Sequence, residues 1–429
     1  MWCESCRRQP SSEISYKYVN VDVLIRSTRM LVVLCTKTSI ARKMTAKLVL
    51  PLLSVFALYA IFYFAEINGL NHLAQGAITA KTLPGTNEPL RTIYTGIEPV
   101  DNVLAALTTF FWPATDGSNP TLTLHSIAFS GTFGAAWTLV TLESWRRGNA
   151  WTVAAFPTMF GLLAQVLTFA FATPLYCAFQ LRNSVTARKP NAENIRIPRA
   201  VLNAIPLVFI LGFMVPTLLM ILPVSEHVTV DMKQIFIASW HPWPAYVAIA
   251  LTIINFVFGP DVSNDGSVEG ERANLRSLRF VYAFAFANAA LTHLISWIMS
   301  LATVLTPVIF EKRLLAVLHP FKVFQIALPW SKPVLQVSDI GEGVHVFLRW
   351  DYLIGSAGVL FWALSLYNAA HRVVYGKVRW LDLLKKAVLL VTLVGPVGAA
   401  VELMWERDEL IIHETGGIKR VASREKKSS

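Results

Sequence analysis

Long apolar stretches separated by short polar loops run along most of the chain. They occupy residues 48–65, 100–113, 122–142, 151–179, 201–223, 235–258, 280–310, 352–370 and 383–404. About 20 apolar residues are needed to cross a bilayer as a helix, and hydrocarbon favours helices because every backbone polar group is then satisfied within the segment. We therefore predict an all-α, polytopic integral membrane protein, a bundle of eight or nine transmembrane helices. The stretch at 100–113 is short and is also compatible with a re-entrant or interfacial helix.

The two ends of the chain have a different character. Residues 1–43 are polar and basic, and we expect them to form a disordered N-terminal extension. Met44 opens an apolar helix in the manner of a signal anchor rather than of a cleaved signal peptide, because the apolar segment has the length of a membrane span. The transmembrane domain then covers residues 44–406, and residues 407–429 are predicted to form a basic C-terminal tail of cytosolic type.

The composition excludes a soluble protein of this size. Hydrophobic residues make up 54% of the 429 residues and charged residues 15%, whereas soluble domains carry about 25% charged residues. The net charge of +11 lies in loops and tails, which is typical of membrane topology rather than of nucleic-acid binding. We therefore expect a lipid bilayer and no nucleic acid as partner, and a multi-pass location in the endoplasmic reticulum membrane.

Basic residues next to the first span indicate its orientation. Arg42 and Lys47 precede or open it, which favours a cytosolic N-terminus. In a nine-span topology, Arg146, Arg147 and the basic residues at 419–427 would then lie on the opposite side. This conflict leaves the C-terminal part of the topology open.

Carboxyl groups at membrane depth are energetically costly and are therefore functional candidates. In the nine-span arrangement the following acids lie at helix ends on the non-cytosolic side: Glu66, Asp101, Glu143, Asp351 and Glu402. Asp116 joins them if the short second helix is re-entrant. The alternative for each is a carboxylate that is hydrated at the interface or placed on a helix dipole, and for Asp116 an ordinary Asp-Gly turn.

Aromatic and histidine side chains accompany the acids. The residues that we expect to line an apolar substrate pocket are Trp112, Trp240, His241, His293 and Trp297. The alternatives are an interfacial anchor for each tryptophan and a hydrogen-bonded packing role for His293. The pattern gives no special weight to His72 or His125.

Motifs of metal-dependent and cofactor-dependent enzymes are missing from the sequence. There is no D-D-x-x-D to hold magnesium ions for the ionisation of a prenyl diphosphate, and no D-x-D-D of soluble protonating cyclases. No H-E-x-x-H, Walker A motif or dinucleotide-binding fingerprint occurs in a suitable context. Cys3 and Cys6 have no second pair to complete a zinc site. We therefore expect no metal site and no cofactor.

Four short segments resemble those of the fungal polytopic membrane terpene cyclases. They are Y-T-G-I-E-P-V-D at 94–101, F-F-W-P-A-T-D-G at 110–117, L-E-S-W-R-R-G-N at 142–149 and F-L-R-W-D at 347–351. The likeness is to the ascofuranone and ascochlorin cyclases, with the membrane cyclases of indole-diterpene pathways behind them, and it covers residues 47–407. The chain is longer than the smaller meroterpenoid cyclases, so their acid pair is not transferred to particular residues here.

The resemblance implies a cofactor-independent cyclase of fungal secondary metabolism, of the meroterpenoid type. A carboxylic acid protonates the epoxide of a prenyl chain on an aromatic head, and the carbocation cyclises before a base removes a proton. A prenyltransferase and an epoxidase that act earlier in such a pathway are candidate partners. We predict Asp351 or Glu143 as the acid, and Asp101 or Glu66 as its partner or as the final base. Aromatic faces would stabilise the cation by about 0.5–2 kcal/mol per contact.

Two other functions are open at this point. A transporter for a small hydrophobic metabolite would use the same acids as a proton relay, although the sequence shows no internal repeat with paired broken helices of the kind found in transporters. A binding or structural membrane protein is the third possibility. It predicts that Asp351→Asn and Glu143→Gln change only the protein level.

Overall fold

The computed structural model describes residues 39–259 and 268–416, with side chains described from residue 46 and from residue 269. Within these ranges the protein is all-helical, as predicted, apart from an isolated bridge between Thr82 and Pro89. The predicted extension before residue 39 and the tail from residue 417 lie outside the described residues, so their disorder stays a prediction. The last helix continues to Thr415, beyond the predicted domain boundary at 406.

The helices are numbered in chain order. Helix α1 (Ser39–Ala57) continues through a π-helical stretch (Leu58–Tyr63) to Phe64–Ile67. It is followed by α2 (Leu70–Ala80), α3 (Glu98–Thr115), α4 (Pro120–Ser144), α5 (Pro157–Leu167), α6 (Phe169–Asn183) and α7 (Val185–Arg188). Helix α8 (Arg199–Phe209) continues through a π-helical stretch (Ile210–Met214) to Val215–Ile221. The remaining helices are α9 (Val230–Trp240), α10 (Trp243–Phe258), α11 (Val268–Leu305), α12 (Lys312–Val317), α13 (Pro320–Phe324), α14 (Ile340–Tyr375) and α15 (Trp380–Thr415).

Local sequence signals explain where the helices that position the site begin. Asn119 caps α4 by accepting a hydrogen bond from the backbone N of Leu122, and Pro120 occupies the first turn. Asp339 caps α14 in the same way through the backbone N of Glu342. Asn and Asp satisfy amides that have no partner within the helix, and proline fits the first turn because its missing N–H is not needed there.

Several helices are suited to a membrane. Five of the described helices are long and apolar enough to cross a bilayer: Ala46–Ile67, Arg199–Ile221, Glu269–Leu305, Ile340–Tyr375 and Trp380–Thr415. The pair α9 and α10, bent by 58°, would make a sixth crossing. Helix α4 has 25 residues, most of them buried inside the protein. The predicted all-α membrane bundle is confirmed, whereas the count of eight or nine spans is not.

The predicted span at 151–179 is a helical hairpin in the structure. Helices α5 and α6 are separated by Thr168, whose φ is 74°. The ring of Phe160 contacts the ring of Tyr176 at a centroid distance of 5.5 Å. In one straight helix these residues would be about 24 Å apart, so the chain reverses at Thr168. Hydropathy alone does not distinguish this reversal from a crossing, because both arms are apolar.

Helix α15 also folds back on itself, although it has the length of a span. Its Gly395 has φ 78° and ψ 167°, and Lys386 Nζ lies 3.8 Å from a carboxylate oxygen of Glu402 and also pairs with Glu406. In one straight helix Lys386 and Glu406 would be about 30 Å apart. The stretch predicted as a span at 383–404 is therefore two antiparallel arms that meet at Gly395.

The beginning of α1 and the ends of α4 and α6 lie together at one end of the bundle, which we call the basic end. Arg182 of α6 donates a hydrogen bond to the carbonyl of Lys47 at 3.0 Å, and Gln180 donates to Glu143 at the end of α4 at 3.1 Å. We call the opposite end, where α1 finishes and α14 begins, the loop end. Because Arg146 and Arg147 follow Glu143 directly, they share the end of Lys47, which removes the conflict for these two arginines. The basic residues at 419–427 lie outside the described residues.

Candidate active site

A cavity of about 720 Å³ lies at the basic end, between the end of α4, the start of α5 and helix α10. Its lining comes from residues 137–147, 150–159, 196–198 and 243–252. The cavity is lined by Trp137 of α4 and by Trp243 at the start of α10, with Thr252 further along α10. Arg147 and Arg196 line it beyond the end of α4. The rise of α10 from Trp243 to Thr252 spans about 13 Å. The cavity is therefore long, with an aromatic floor and a polar rim.

The side of this cavity is open to the apolar surface of the bundle. Two of its lining residues, Phe156 and Met159 of the α5 region, are 54% and 74% exposed. Ile249 and Ile253 on the neighbouring α10 are also more than half exposed. Exposed apolar side chains of this kind suit contact with lipid tails, so an apolar ligand can reach the cavity from within the bilayer.

A cage of aromatic rings begins at the floor of the cavity. Phe133 contacts Trp137 at 6.2 Å and Trp243 at 5.6 Å between ring centroids. It also contacts Trp240 at 6.3 Å and Phe169 at 5.3 Å. These residues come from α4, α6, α9 and α10, and the five rings, which we call the aromatic cage, connect the cavity to the apex of the α5–α6 hairpin.

Asp351 lies at that apex, beside the backbone of Phe169. It is 4% exposed, and its Oδ1 accepts a hydrogen bond from the backbone N of Ala170 at 2.6 Å. Thr168 and Phe169 also lie against the carboxyl group. Among the described residues, no basic side chain forms an ion pair with Asp351. The carboxyl group is therefore buried against the first turn of α6 with no cation beside it.

Glu143 has the opposite environment. Its Oε1 accepts hydrogen bonds from Arg146 Nε and Arg407 Nη1, both at 2.5 Å, and its Oε2 accepts from Thr186 Oγ1 at 3.0 Å. Asp408 completes the group through Arg146 Nη2 at 2.6 Å. All four charged side chains are fully buried, two acids against two arginines. An anion held by two guanidinium groups is a poor proton donor, so this cluster stabilises the fold.

Asp101, Glu66 and Asp116 are bound within their own loops and turns. The carboxylate of Asp101 accepts hydrogen bonds from the backbone N atoms of Thr95 at 2.7 Å, Tyr94 at 3.2 Å and Gly96 at 3.0 Å. The backbone N–H of Thr95 makes the largest contribution to lowering the pKa of Asp101, and the other donors act in the same direction. Partial burial opposes this shift, but the pKa stays below its usual range. Glu66 is exposed and accepts from Asn71, and Asp116 closes a turn with Ser118. These three acids have local structural partners.

The predicted gathering of the acids in one cavity is therefore wrong. The hypothesis placed Asp351, Glu143 and Asp101 together, but Asp351 bonds to Ala170 at the start of α6 and Glu143 to Gln180 near its end, about 15 Å apart along the helix. Asp101 bonds to the loop before α3. The assumption of nine full crossings placed Glu143 on the side opposite to Lys47, whereas the structure puts both at the basic end. Only Asp351 adjoins the aromatic cage.

The predicted pocket residues are divided in the same way. Trp240 belongs to the aromatic cage, and His241 contacts the Trp240 ring at 5.3 Å. Trp112 is buried in α3. His293 lies against Gly395 at the apex of α15, and Trp297 is 37% exposed and stacks on a phenylalanine of α13 at 4.2 Å. His293 and Trp297 thus have packing partners outside the cage.

Sequence reasoning missed two groups of buried polar residues. Arg407 and Asp408 were assigned to the tail, although the apolar run that follows them, 410–412, signals a helix that continues into the protein. His125 received no weight, although His125, Phe129, Phe133 and Trp137 recur at intervals of four and so share one face of α4. That spacing was visible in the sequence.

Comparison with known proteins identifies the family. A family model described as the CtvD domain matches residues 46–412. The terpene cyclase ctvD of Aspergillus terreus (strain NIH 2624 / FGSC A1156) is 32% identical over 361 residues, which cover 83% of this chain and 97% of that protein. The terpene cyclase penA of Penicillium crustosum is 27% identical over 83% of this chain and 94% of its own length.

A third relative supports the same assignment. The terpene cyclase ascI of Acremonium egyptiacum is 27% identical over 377 residues, 86% of this chain and 93% of its own. No solved structure matches the chain. The predicted resemblance is confirmed, and the chain belongs to the CtvD domain family of fungal terpene cyclases.

Proposed function

We propose that this protein is a membrane terpene cyclase in which Asp351 protonates the epoxide of a prenylated aromatic substrate and the aromatic cage shelters the resulting carbocation. Membership of the family supports the cyclase activity, and the comparisons offer no support for transport of a hydrophobic metabolite. The observation that carries the assignment of the acid is the burial of Asp351 beside the cage without a basic partner.

The acid is chosen by the environments of the carboxyl groups. Glu143 is an anion bound by Arg146 and Arg407, and Asp101 is bound by the backbone of its own loop. Asp351 alone among these three acids lies at the start of α6, next to Phe169 of the aromatic cage. Once it has given its proton to the epoxide oxygen, the carboxylate is stabilised by the backbone N of Ala170 and by the positive end of the α6 dipole.

The aromatic cage suits a carbocation. Faces of Phe and Trp attract a positive charge by about 0.5–2 kcal/mol per contact, and they offer no lone pair that would capture the carbon. Phe133 and Phe169 are about 3% and 1% exposed, so water is kept from the reacting carbon. Exclusion of water favours a cyclic product over a diol.

The shape of the cavity orients the substrate. We place the aromatic head at the rim, where Thr252, Arg147 and Arg196 supply polar groups, and the prenyl chain along the floor towards Phe133. The epoxide then reaches the cage and Asp351, whereas the head stays near the basic end. The lateral opening at Met159 admits a substrate that is dissolved in the bilayer.

The scheme requires no redox cofactor, because one proton enters at oxygen and one proton leaves from carbon. The product is an isomer of the substrate. We also propose the endoplasmic reticulum as its membrane, and a prenyltransferase and an epoxidase as the enzymes that supply the substrate. Co-purification of either enzyme activity with microsomes that contain this protein would support the last point.

A microsomal assay tests the proposal. The probe is a synthetic phenol that carries a prenyl chain with a terminal epoxide, and the readout is formation of a cyclic isomer of equal mass. We expect turnover by the unmodified protein, with and without EDTA, and a loss of at least 100-fold in Asp351→Asn. The matched control is Asp382→Asn, which changes a half-exposed carboxylate of α15 paired with Arg379.

Each outcome decides between the functions. Turnover of Asp351→Asn at the unmodified rate would overturn the assignment of the acid. Uptake of the epoxide into sealed vesicles without any isomerisation would favour the transporter. A change in protein level alone, with equal turnover per molecule, would favour a structural role for Asp351.

A further inference from the structure

His125 is a buried histidine for which the proposed acid step gives no role. It is 4% exposed, and neither ring nitrogen makes a hydrogen bond of normal geometry within the described residues. The backbone of Leu348 lies beside the ring. Buried polar groups without partners are rare in folded proteins because they lose their hydrogen bonds to water. The burial of His125 without hydrogen-bond partners therefore indicates a functional role.

When His125 is neutral, the lone pair on its unprotonated ring nitrogen accepts no hydrogen bond from the described residues. One ring nitrogen can donate its proton towards the Leu348 carbonyl, and the other then presents a lone pair. The ring lies 5.4 Å from the ring of His345 and 5.6 Å from that of Tyr352. Arg349 stands behind His345, donating from Nη2 to His345 Nδ1 at 3.1 Å. A proton on His125 would add a second positive charge to this buried space.

The position of His125 connects it to the aromatic cage. On α4, His125 lies one turn from Phe129, which contacts Phe133 at 5.9 Å and Phe169 at 6.0 Å. Tyr352 contacts Phe129 at 6.4 Å and follows Asp351 in the chain. The stripe on α4 therefore leads from the floor of the cavity to the level of Asp351 and then to His125.

We propose that His125 is the base that ends the reaction by removing a proton from the carbocation. The C–H bond next to the cationic carbon breaks, its electron pair forms the alkene, and the proton passes to the free ring nitrogen of His125. The proton then returns to the Asp351 carboxylate, which restores both groups. The proton gained by the epoxide oxygen and the proton lost from carbon balance, so the overall reaction is an isomerisation.

The acids that the sequence suggested for this step are badly placed for it. Asp101 is held by hydrogen bonds from its own loop, and Glu66 is exposed to solvent. Glu143 is bound by two arginines. Among these groups, His125 combines burial with an unused lone pair, and Phe129 connects it to the aromatic cage.

The test rests on the proposed function and separates the two proton transfers. In microsomes supplied with the epoxy-prenyl phenol, we expect His125→Phe to keep consuming epoxide but to form less than a tenth of the normal cyclic alkene. Products of water capture or isomeric alkenes should replace it. The control is His72→Phe, because His72 is an exposed residue of α2. Asp351→Asn, in contrast, should stop consumption of the epoxide itself.

Chemical rescue provides a second measurement, independent of how well the phenylalanine packs. We expect His125→Ala to lose the normal alkene and to regain it in part when imidazole is added. An unchanged product and rate in His125→Phe, or no rescue of a folded His125→Ala protein by imidazole, would overturn the role of His125. Neither result would affect the assignment of Asp351, which fails only if Asp351→Asn still consumes the epoxide.

Discussion

Glu143→Gln is expected to unfold the basic end rather than to stop the chemistry. The carboxylate is fully buried and joins Arg146 and Arg407, each at 2.5 Å. Gln180 and Thr186 donate further hydrogen bonds to it at 3.1 and 3.0 Å. The substitution leaves two buried guanidinium groups facing the single carboxylate of Asp408, so one positive charge has no counterion.

The magnitude follows from the cost of a broken buried ion pair. Removal of one partner typically costs about 3–5 kcal/mol, because the other charge stays buried and unpaired. At about 2–4 °C per kcal/mol, as for soluble domains of 150–250 residues, the apparent Tm in detergent should fall by roughly 6–20 °C. Thermal melting followed by size-exclusion chromatography measures this, with turnover per folded molecule recorded alongside.

A matched control uses the neighbouring exposed pair. Arg147 and Glu193 are 3.4 Å apart, with side chains 66% and 73% exposed, and exposed pairs contribute only about 0–1 kcal/mol. Glu193→Gln should therefore melt within about 4 °C of the unmodified protein. An unchanged Tm for Glu143→Gln together with lost turnover would refute the reasoning, because Glu143 would then be the acid and the cluster would not be fully ionised.

Three further predictions concern Asp101, Thr168 and Gly355. The lowered pKa of Asp101 means that its ionised carboxylate stabilises the folded protein fully above about pH 4. This stabilisation is lost as the pH falls through the pKa of Asp101 in the folded protein. The Tm difference between the unmodified protein and Asp101→Asn should therefore narrow below pH 4, and a constant difference would contradict this. Thr168 holds a φ of 74° that costs a non-glycine residue about 1–3 kcal/mol, so Thr168→Gly should raise the Tm, and a lower Tm would show that the strain is absent. A Cβ on Gly355 would lie 2.2 Å from a ring atom of Phe169, so Gly355→Ala should displace Phe169 and lower turnover at least tenfold. The control is Gly76→Ala, whose Cβ meets open space and which should leave turnover unchanged.

The sequence predicted the helices well and the path of the chain poorly. Apolar length shows that a segment lies in the membrane, but it carries no sign of direction, and both hairpins were counted as crossings for that reason. The sequence signals for the two chain reversals, at Thr168 and at Gly395, differ in strength. Gly395 is followed by proline and has the freedom for its φ of 78°, whereas Thr168 is a residue that rarely adopts such a backbone. A reversal at threonine depends on tertiary contacts that a single sequence does not display.

The candidate site was predictable where one helix supplies it and not where several do. The stripe from His125 to Trp137 follows from spacing alone, and the membrane burial of Asp351 follows from its place in an apolar run. The contact of Asp351 with Ala170 joins residues 181 positions apart, so no local pattern contains it. The pairing of Glu143 with Arg407 is similarly distant, which is why both acids looked equivalent in the sequence.

Three of the four segments that carry the family resemblance have structural explanations independent of catalysis. The segment at 94–101 is a turn closed by Asp101, the segment at 110–117 ends with the Thr115 carbonyl bound by Lys233 Nζ at 2.8 Å, and the segment at 142–149 builds the buried ion cluster of Glu143. Only F-L-R-W-D at 347–351 places an acid without a counterion beside aromatic rings. Similarity of short motifs therefore does not separate fold from chemistry in this family, and the partners of each carboxylate are the better guide. On this basis we propose Asp351 as the proton donor, and we expect substitutions in the other three segments to act through folding.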